Sequence, residues 1–105
     1  MPRKSSKETP IVLSGVVYTN DEHTGIRVGS AAWRNWLTGQ KRFYYQADTP
    51  FTARQEKRRN GMFWYAYRKH QGKLYKVYLG ASNQLTGERL VQSARQLADK
   101  IAQTD

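Results

Sequence analysis

The sequence predicts an α+β fold: an antiparallel β-meander of three to four strands packed on a C-terminal α-helix, with a short tryptophan-bearing helix nearer the N-terminus. Three observations carry that expectation. Two tight-turn dipeptides, Asn60-Gly61 and Gln71-Gly72, separate three runs rich in strand-forming residues. Within those runs apolar and polar residues alternate with period two. The final segment, "LTGERLVQSARQLADKIAQ", places Leu90, Ala94, Leu97, Ala98 and Ile101 on one stripe at helical spacing.

Residues 1–10, "MPRKSSKETP", are polar and basic and end in proline, which predicts a disordered basic arm ahead of a single small domain over 11–105. "IVLSGVVY" (11–18) is apolar and β-branched and reads as one strand. "TNDEHTG" (19–25) has turn chemistry, and "IRVG" follows as a short partner strand. "SAAWRNWLTG" (30–39) reads as a helix of about two turns, with Ser30 as N-cap and Gly39 as its stop. Trp33, Trp36 and Leu37 share one face of it and are assigned to the core.

"RFYYQA" (42–47) is a strand and "DTP" a turn. "FTARQEKRR" (51–59), "MFWYAYRKH" (62–70) and "KLYKVYLG" (73–80) make the meander. Thr86 caps the last helix, with Glu88 in its first turn. Two-residue turns set the facing pairs: Arg58 with Phe63, Glu56 with Tyr65, Arg54 with Tyr67 and Thr52 with Lys69 across Asn60-Gly61. Across Gln71-Gly72 they are Lys69 with Leu74, Tyr67 with Lys76 and Tyr65 with Tyr78.

One face of the sheet then carries Phe51, Ala53, Trp64, Ala66, Tyr75, Val77 and Leu79, with Arg68 near its edge. This is the core face, and its alanines leave room for the helix bearing Leu90, Leu97 and Ile101. The other carries Thr52, Arg54, Glu56, Arg58, Tyr65, Tyr67, Lys69, Lys76 and Tyr78, and nothing in the chain is suited to cover it.

Charge gives that uncovered face its meaning. The chain has 18 Lys and Arg against 8 Asp and Glu, a net charge of +10. Between Arg54 and Lys76 eight basic residues meet one acid, Glu56. A basic excess concentrated on one face is the footprint of a polyanion binder. Arg54, Arg58, Lys69 and Lys76 are placed to reach base edges or phosphates; Thr52 and the tyrosine hydroxyls of Tyr65, Tyr67 and Tyr78 add hydrogen bonds. Lys57, Arg59, Arg68 and Lys73, on turns and edges, suit phosphate contacts. Glu56 is read as a cross-strand partner of an arginine.

Other chemistries find little support. There is no cysteine, and the two histidines, His23 and His70, sit in or beside turns. The Asp21-Glu22-His23 run has metal-ligand chemistry but no second cluster, so no metal site is expected. No nucleophile–base arrangement is visible, so the chain reads as a binder rather than an enzyme, without a cofactor. No apolar run approaches the roughly 20 residues of a membrane span, and no apolar segment follows the basic start. A cytoplasmic, nucleoid-associated protein is the expectation.

The stretch "FWYAYRKHQGKLYKVYLG…LTGERLVQSARQLA", preceded by "FTARQEKRRNG", resembles the three-stranded DNA-binding domain shared by plant ethylene-response factors and the arm-binding ends of phage and transposon integrases. The opening strand also resembles that of bacterial, notably cyanobacterial, proteins carrying this module. The resemblance covers about residues 50–102. It implies that the outer face of the sheet enters the major groove of duplex DNA while the helix supports it from behind. Arg54, Arg58, Tyr65, Tyr67, Lys69, Lys76 and Tyr78 would then be the readers, in a small regulator or a recombination or transposition accessory factor. Two other readings stay open: single-stranded DNA or RNA stacked on the tyrosines, and a protein-interaction module using the tyrosine face. The N-terminal half lies outside the resemblance and is left for a protein partner or a second copy of the chain.

Overall fold

The computed structural model describes residues 9–19 and 22–104. Seven strands and two helices follow one another as β1 (Ile11–Leu13), β2 (Val16–Thr19), β3 (Glu22–Arg27), α1 (Ala31–Thr38), β4 (Arg42–Gln46), β5 (Phe51–Arg58), β6 (Gly61–His70), β7 (Lys73–Gly80) and α2 (Gly87–Thr104). A 3-10 turn at Ser82–Gln84 joins β7 to α2. The expected basic arm falls almost wholly outside the described residues.

All seven strands form one sheet in the order β3-β2-β1-β4-β5-β6-β7. The α+β class and the C-terminal helix agree with the sequence; the meander of three to four strands is only half of the sheet. The apolar run 11–18 is two strands, because Ser14 and Gly15 adopt φ of 53° and 78° and close a hairpin between them. Two consecutive positive φ values give the turn whose twist matches that of the flanking strands. Likewise, residues from Glu22 onward, expected as turn, are strand β3, paired to β2 through a bulge. Within that bulge Thr24 Oγ1 donates to the Val17 carbonyl at 2.7 Å.

β1 then pairs with β4 in parallel, Val12 beside Tyr45, so the N-terminal strands extend the meander sideways. Parallel neighbours need a crossover, and α1 is part of it. Ser30 caps α1 by accepting from the Trp33 amide at 3.1 Å; such a cap is worth about 1 kcal/mol. Trp33 and Leu37 are fully buried and Trp36 partly so. The Trp33 indole donates to the Leu85 carbonyl at 2.6 Å, tying α1 to the entrance of α2.

Both helices lie on the same side of the sheet. Phe43 on β4 meets Trp33 edge-on at 5.5 Å and tilts against Trp64 at 5.3 Å. Leu90, Leu97 and Ile101 of α2 complete this core over Ala53, Ala66, Val77 and Leu79. Thr86 caps α2 as expected, accepting from the Arg89 amide at 3.1 Å. Two α2 side chains also close the outer edge of β7. Arg89 Nε donates to the Leu79 carbonyl at 2.7 Å, and Lys100 Nζ to the Lys76 carbonyl at 3.2 Å. An edge strand so occupied is a poor template for pairing with another chain.

Register corrects one expectation. Between β5 and β6 the facing pairs are Arg58 with Gly61, Glu56 with Phe63, Arg54 with Tyr65 and Thr52 with Tyr67. The turn is Arg59–Asn60, and Gly61, with φ of 136°, is already the first strand residue. Every expected pair across this turn is displaced by two residues. A shift of two leaves side chains on their original face, whereas a shift of one would invert it. Across Gln71–Gly72 the expected pairs hold, and φ values of 51° and 81° make this a second primed turn.

Candidate nucleic-acid interface

Side chains alternate across β5, β6 and β7, and burial divides them cleanly. Phe51, Ala53, Trp64, Ala66, Tyr75, Val77 and Leu79 are buried under the helices. Thr52, Arg54, Glu56, Arg58, Tyr65, Tyr67, Lys69, Lys76 and Tyr78 point the other way, away from both α1 and α2. Arg54, Arg58, Lys69 and Lys76 are exposed; Tyr65 and Tyr67 are half-buried by their neighbours, and Tyr78 is 46% exposed.

The outward side chains form a lattice of cations and phenol rings. Arg54 lies 5.7 Å from the centroid of Tyr67, and Arg58 lies 4.8 Å from that of Tyr65. Lys76 reaches both rings, at 4.4 Å from Tyr65 and 5.4 Å from Tyr67. Tyr78 meets Tyr65 edge-on at 5.5 Å and Phe63 at 6.1 Å. Each exposed cation–ring contact is weak on its own, since solvent screens the cation. The larger consequence is positional: the long cationic side chains are laid over rigid rings instead of sweeping through solvent.

Glu56 sits within this lattice. It accepts from the Tyr67 hydroxyl, forms an ion pair with Arg58, and lies 3.6 Å from Lys76 Nζ. Its arginine partner is on its own strand, not across from it as expected from the sequence. The Tyr67 hydrogen bond, followed by Arg58 and Lys76, holds its carboxyl below the ordinary value. Reciprocally, Tyr67 and then Glu56 raise the Lys76 ammonium, and Tyr65 with Glu56 raises the Arg58 guanidinium. All three groups are ionised at neutral pH.

The sequence located β4, but not its contribution to this face. Its alternation puts Arg42 and Tyr44 on the outward face, Arg42 directly opposite Arg54 and Tyr44 opposite Thr52. The period-two signal in "RFYYQ" was available; the pairing of β4 beside β5 was the missing step. Among the outward residues of β4 to β7, Glu56 is the one acid against five cations. Further along the sheet the outward face turns apolar, with Ile11, Leu13 and Val16 on β1 and β2.

The four residues assigned from sequence to phosphate contacts are dispersed. Arg59 is exposed in the β5–β6 turn. Lys57, Arg68 and Lys73 share the parity of the helix-covered face. Of these, Arg68 donates to the Pro50 carbonyl at 3.0 Å and is half-buried, while Lys73 lies 5.3 Å from the Tyr75 ring.

Among the described residues no three His, Asp or Glu side chains converge in a metal-binding arrangement, and no helix is long and apolar enough to cross a membrane. His23, a residue of β3, accepts from the Gly25 amide at 3.0 Å and meets Tyr18 edge-on across the β2–β3 pair. A scan of the chain against protein-family models finds no matching family, and searches of curated proteins and of solved structures return no significant match.

Proposed function

We propose that the chain binds double-stranded DNA sequence-specifically through the outward face of its sheet, as a small regulator or a recombination or transposition accessory factor. One observation carries the reading. A face bearing five cations and one internally paired acid is left uncovered by both helices, with Arg54, Arg58 and Lys76 held over tyrosine rings. A sheet face kept only for solubility has no need of four tyrosines among its charges.

Dimensions decide how such a face meets a duplex. Strands lie about 4.8 Å apart, so the axes of β5, β6 and β7 span about 10 Å, whereas the major groove is about 12 Å wide. Three strands fit and seven do not. With β5–β7 in the groove, Arg54 and Arg58 face base edges, where an arginine fork bonded to guanine discriminates by about 1–3 kcal/mol. Lys69, Lys76, Thr52 and the hydroxyls of Tyr65, Tyr67 and Tyr78 supply the remaining polar contacts. Three consecutive antiparallel strands backed by a C-terminal helix is also the outline of the integrase arm-binding and ethylene-response-factor domain, which supports the same docking mode.

Fluorescence anisotropy with a duplex and a single strand of equal length tests the reading. The duplex binds at least tenfold more tightly, and selection from a random duplex library returns a consensus. Tighter single-strand binding, lost in Tyr65→Ala, would replace the groove reading with base stacking on the tyrosines.

A further inference from the structure

Arg42 and Arg54 face each other across β4 and β5. Like charges directly opposed on one face of a sheet repel and destabilise the pair. Neither has an ion-pair partner among the described residues, although the face includes an acid. Glu56 is engaged elsewhere, with Arg58, Lys76 and Tyr67. The uncompensated charge surrounds a surface depression of about 240 Å³ lined by Arg42, Thr52, Arg54, Tyr67, Lys69 and Leu74. Three cations from three strands thus border one hollow with a threonine in it and no acid.

We infer that this hollow is a phosphate subsite, formed by Arg42, Thr52 and Lys69, that seats a backbone phosphodiester of the bound duplex. The inference rests on the reading proposed above and extends it to a fourth strand. With β5–β7 filling the groove, β4 lies one strand spacing beyond its rim, where the phosphate backbone runs. Arg42 brings a guanidinium fork suited to a phosphate, Lys69 a point charge from the other side, and Thr52 a hydroxyl donor. Arg54 forms a wall of the hollow, but its guanidinium is laid over Tyr67, which leaves its fork for a base edge. A bound phosphate also offsets the Arg42–Arg54 repulsion, so the cost present in the free protein disappears in the complex.

The division of labour makes the subsite testable with Arg42→Gln and Lys69→Gln in the full chain. Each lowers duplex affinity by roughly eightfold at 0.1 M salt relative to 1 M, and each makes the log–log salt slope shallower by about 0.9. The loss is the same for every duplex sequence. In parallel, inorganic phosphate is titrated against wild type at constant ionic strength, following the Arg42 side-chain Nε–H signal by NMR. A saturable shift that chloride does not reproduce and that Lys69→Gln weakens is expected. Wild-type duplex binding with unchanged affinity and slope in both variants overturns the subsite while leaving the proposed function standing. A changed sequence preference in Arg42→Gln overturns it too, by making Arg42 a base reader. Phosphate binding without duplex binding keeps the hollow as an anion site for free phosphate and removes its nucleic-acid role. Absence of both removes the subsite and the function together.

Discussion

The Tyr67 hydroxyl on β6 donates to the Glu56 carboxylate on β5, so the acid of the outward face is turned onto its own neighbours. With Arg58 and Lys76 also beside it, Glu56 lowers the positive potential of the face from within and holds two of the cations available to a polyanion.

Replacing Glu56 by Gln removes that internal competitor. Duplex affinity is expected to rise by about three- to tenfold at 0.1 M salt, with a salt slope steeper by up to about 1. Anisotropy titrations at several salt concentrations measure both. An unchanged affinity and slope would mean that Arg58 and Lys76 do not meet the ligand.

The same carboxylate gives a pH dependence with a definite sign. Its folded-state pKa is depressed by Tyr67, Arg58 and Lys76. A depressed carboxyl contributes stability that is fully present above its unfolded value, about 4.3, and is lost as pH falls through the lower folded value. The stability difference between wild type and Glu56→Gln is therefore constant above about pH 5.5 and shrinks below about pH 4. Urea melts across this range check it; a difference that stays constant to pH 3 contradicts the assignment.

Arg54 and Tyr65 face each other but are expected to fail differently. Arg54→Ala removes a guanidinium fork, so discrimination at one base position falls by about 5- to 150-fold, the equivalent of about 1–3 kcal/mol. Tyr65→Ala removes the ring beneath Arg58 and Lys76, so affinity falls on all duplexes while the consensus is kept. Repeating the library selection with each variant separates the two; an unchanged consensus for Arg54→Ala would exclude it as a reader.

Gly80 is the point where the fold tolerates least. It adopts φ of 119°, and a Cβ there would lie 2.6 Å from Gln84 Oε1, which accepts from the Ala81 amide at 2.9 Å. Gly80→Ala is expected to cost about 1–3 kcal/mol through backbone strain and loss of that contact. Trp64→Ala, which opens the centre of the core and removes the hydrogen bond to Ser82 Oγ, costs about 3–5 kcal/mol. Thermal melts rank them, with Trp64→Ala below Gly80→Ala below wild type.

What could be read from the sequence followed the physics of each signal. The faces of β5–β7 were legible because alternation survives a register error of two, and the Asn-Gly dipeptide located the turn without specifying which residues close it. Here Gly61 takes the positive φ as a strand residue, and Arg59–Asn60 make the turn. The β1–β2 hairpin was hidden because "IVLSGVVY" is apolar on both sides of the turn, and Ser14 is an uncommon residue for φ near 53°. The parallel β1–β4 pairing leaves no local trace, since its partners are some thirty residues apart. The β4–β5 pairing is local, but the four-residue connection 47–50 carries no turn dipeptide that fixes a register, so the parity of Arg42 and Tyr44 alone does not place them beside Arg54 and Thr52.

The most direct test is the salt dependence of duplex binding by wild type and by a variant with Arg54, Arg58, Lys69 and Lys76 all changed to Gln. Wild type should give a log–log slope of about −3, as expected when Arg42, Lys69 and Lys76 meet phosphates at about 0.9 each. The fourfold variant should retain the fold by circular dichroism and give a slope within about 1 of zero. Equal slopes for the two proteins, or a flat response for wild type, would contradict the claim that this face of the sheet binds DNA.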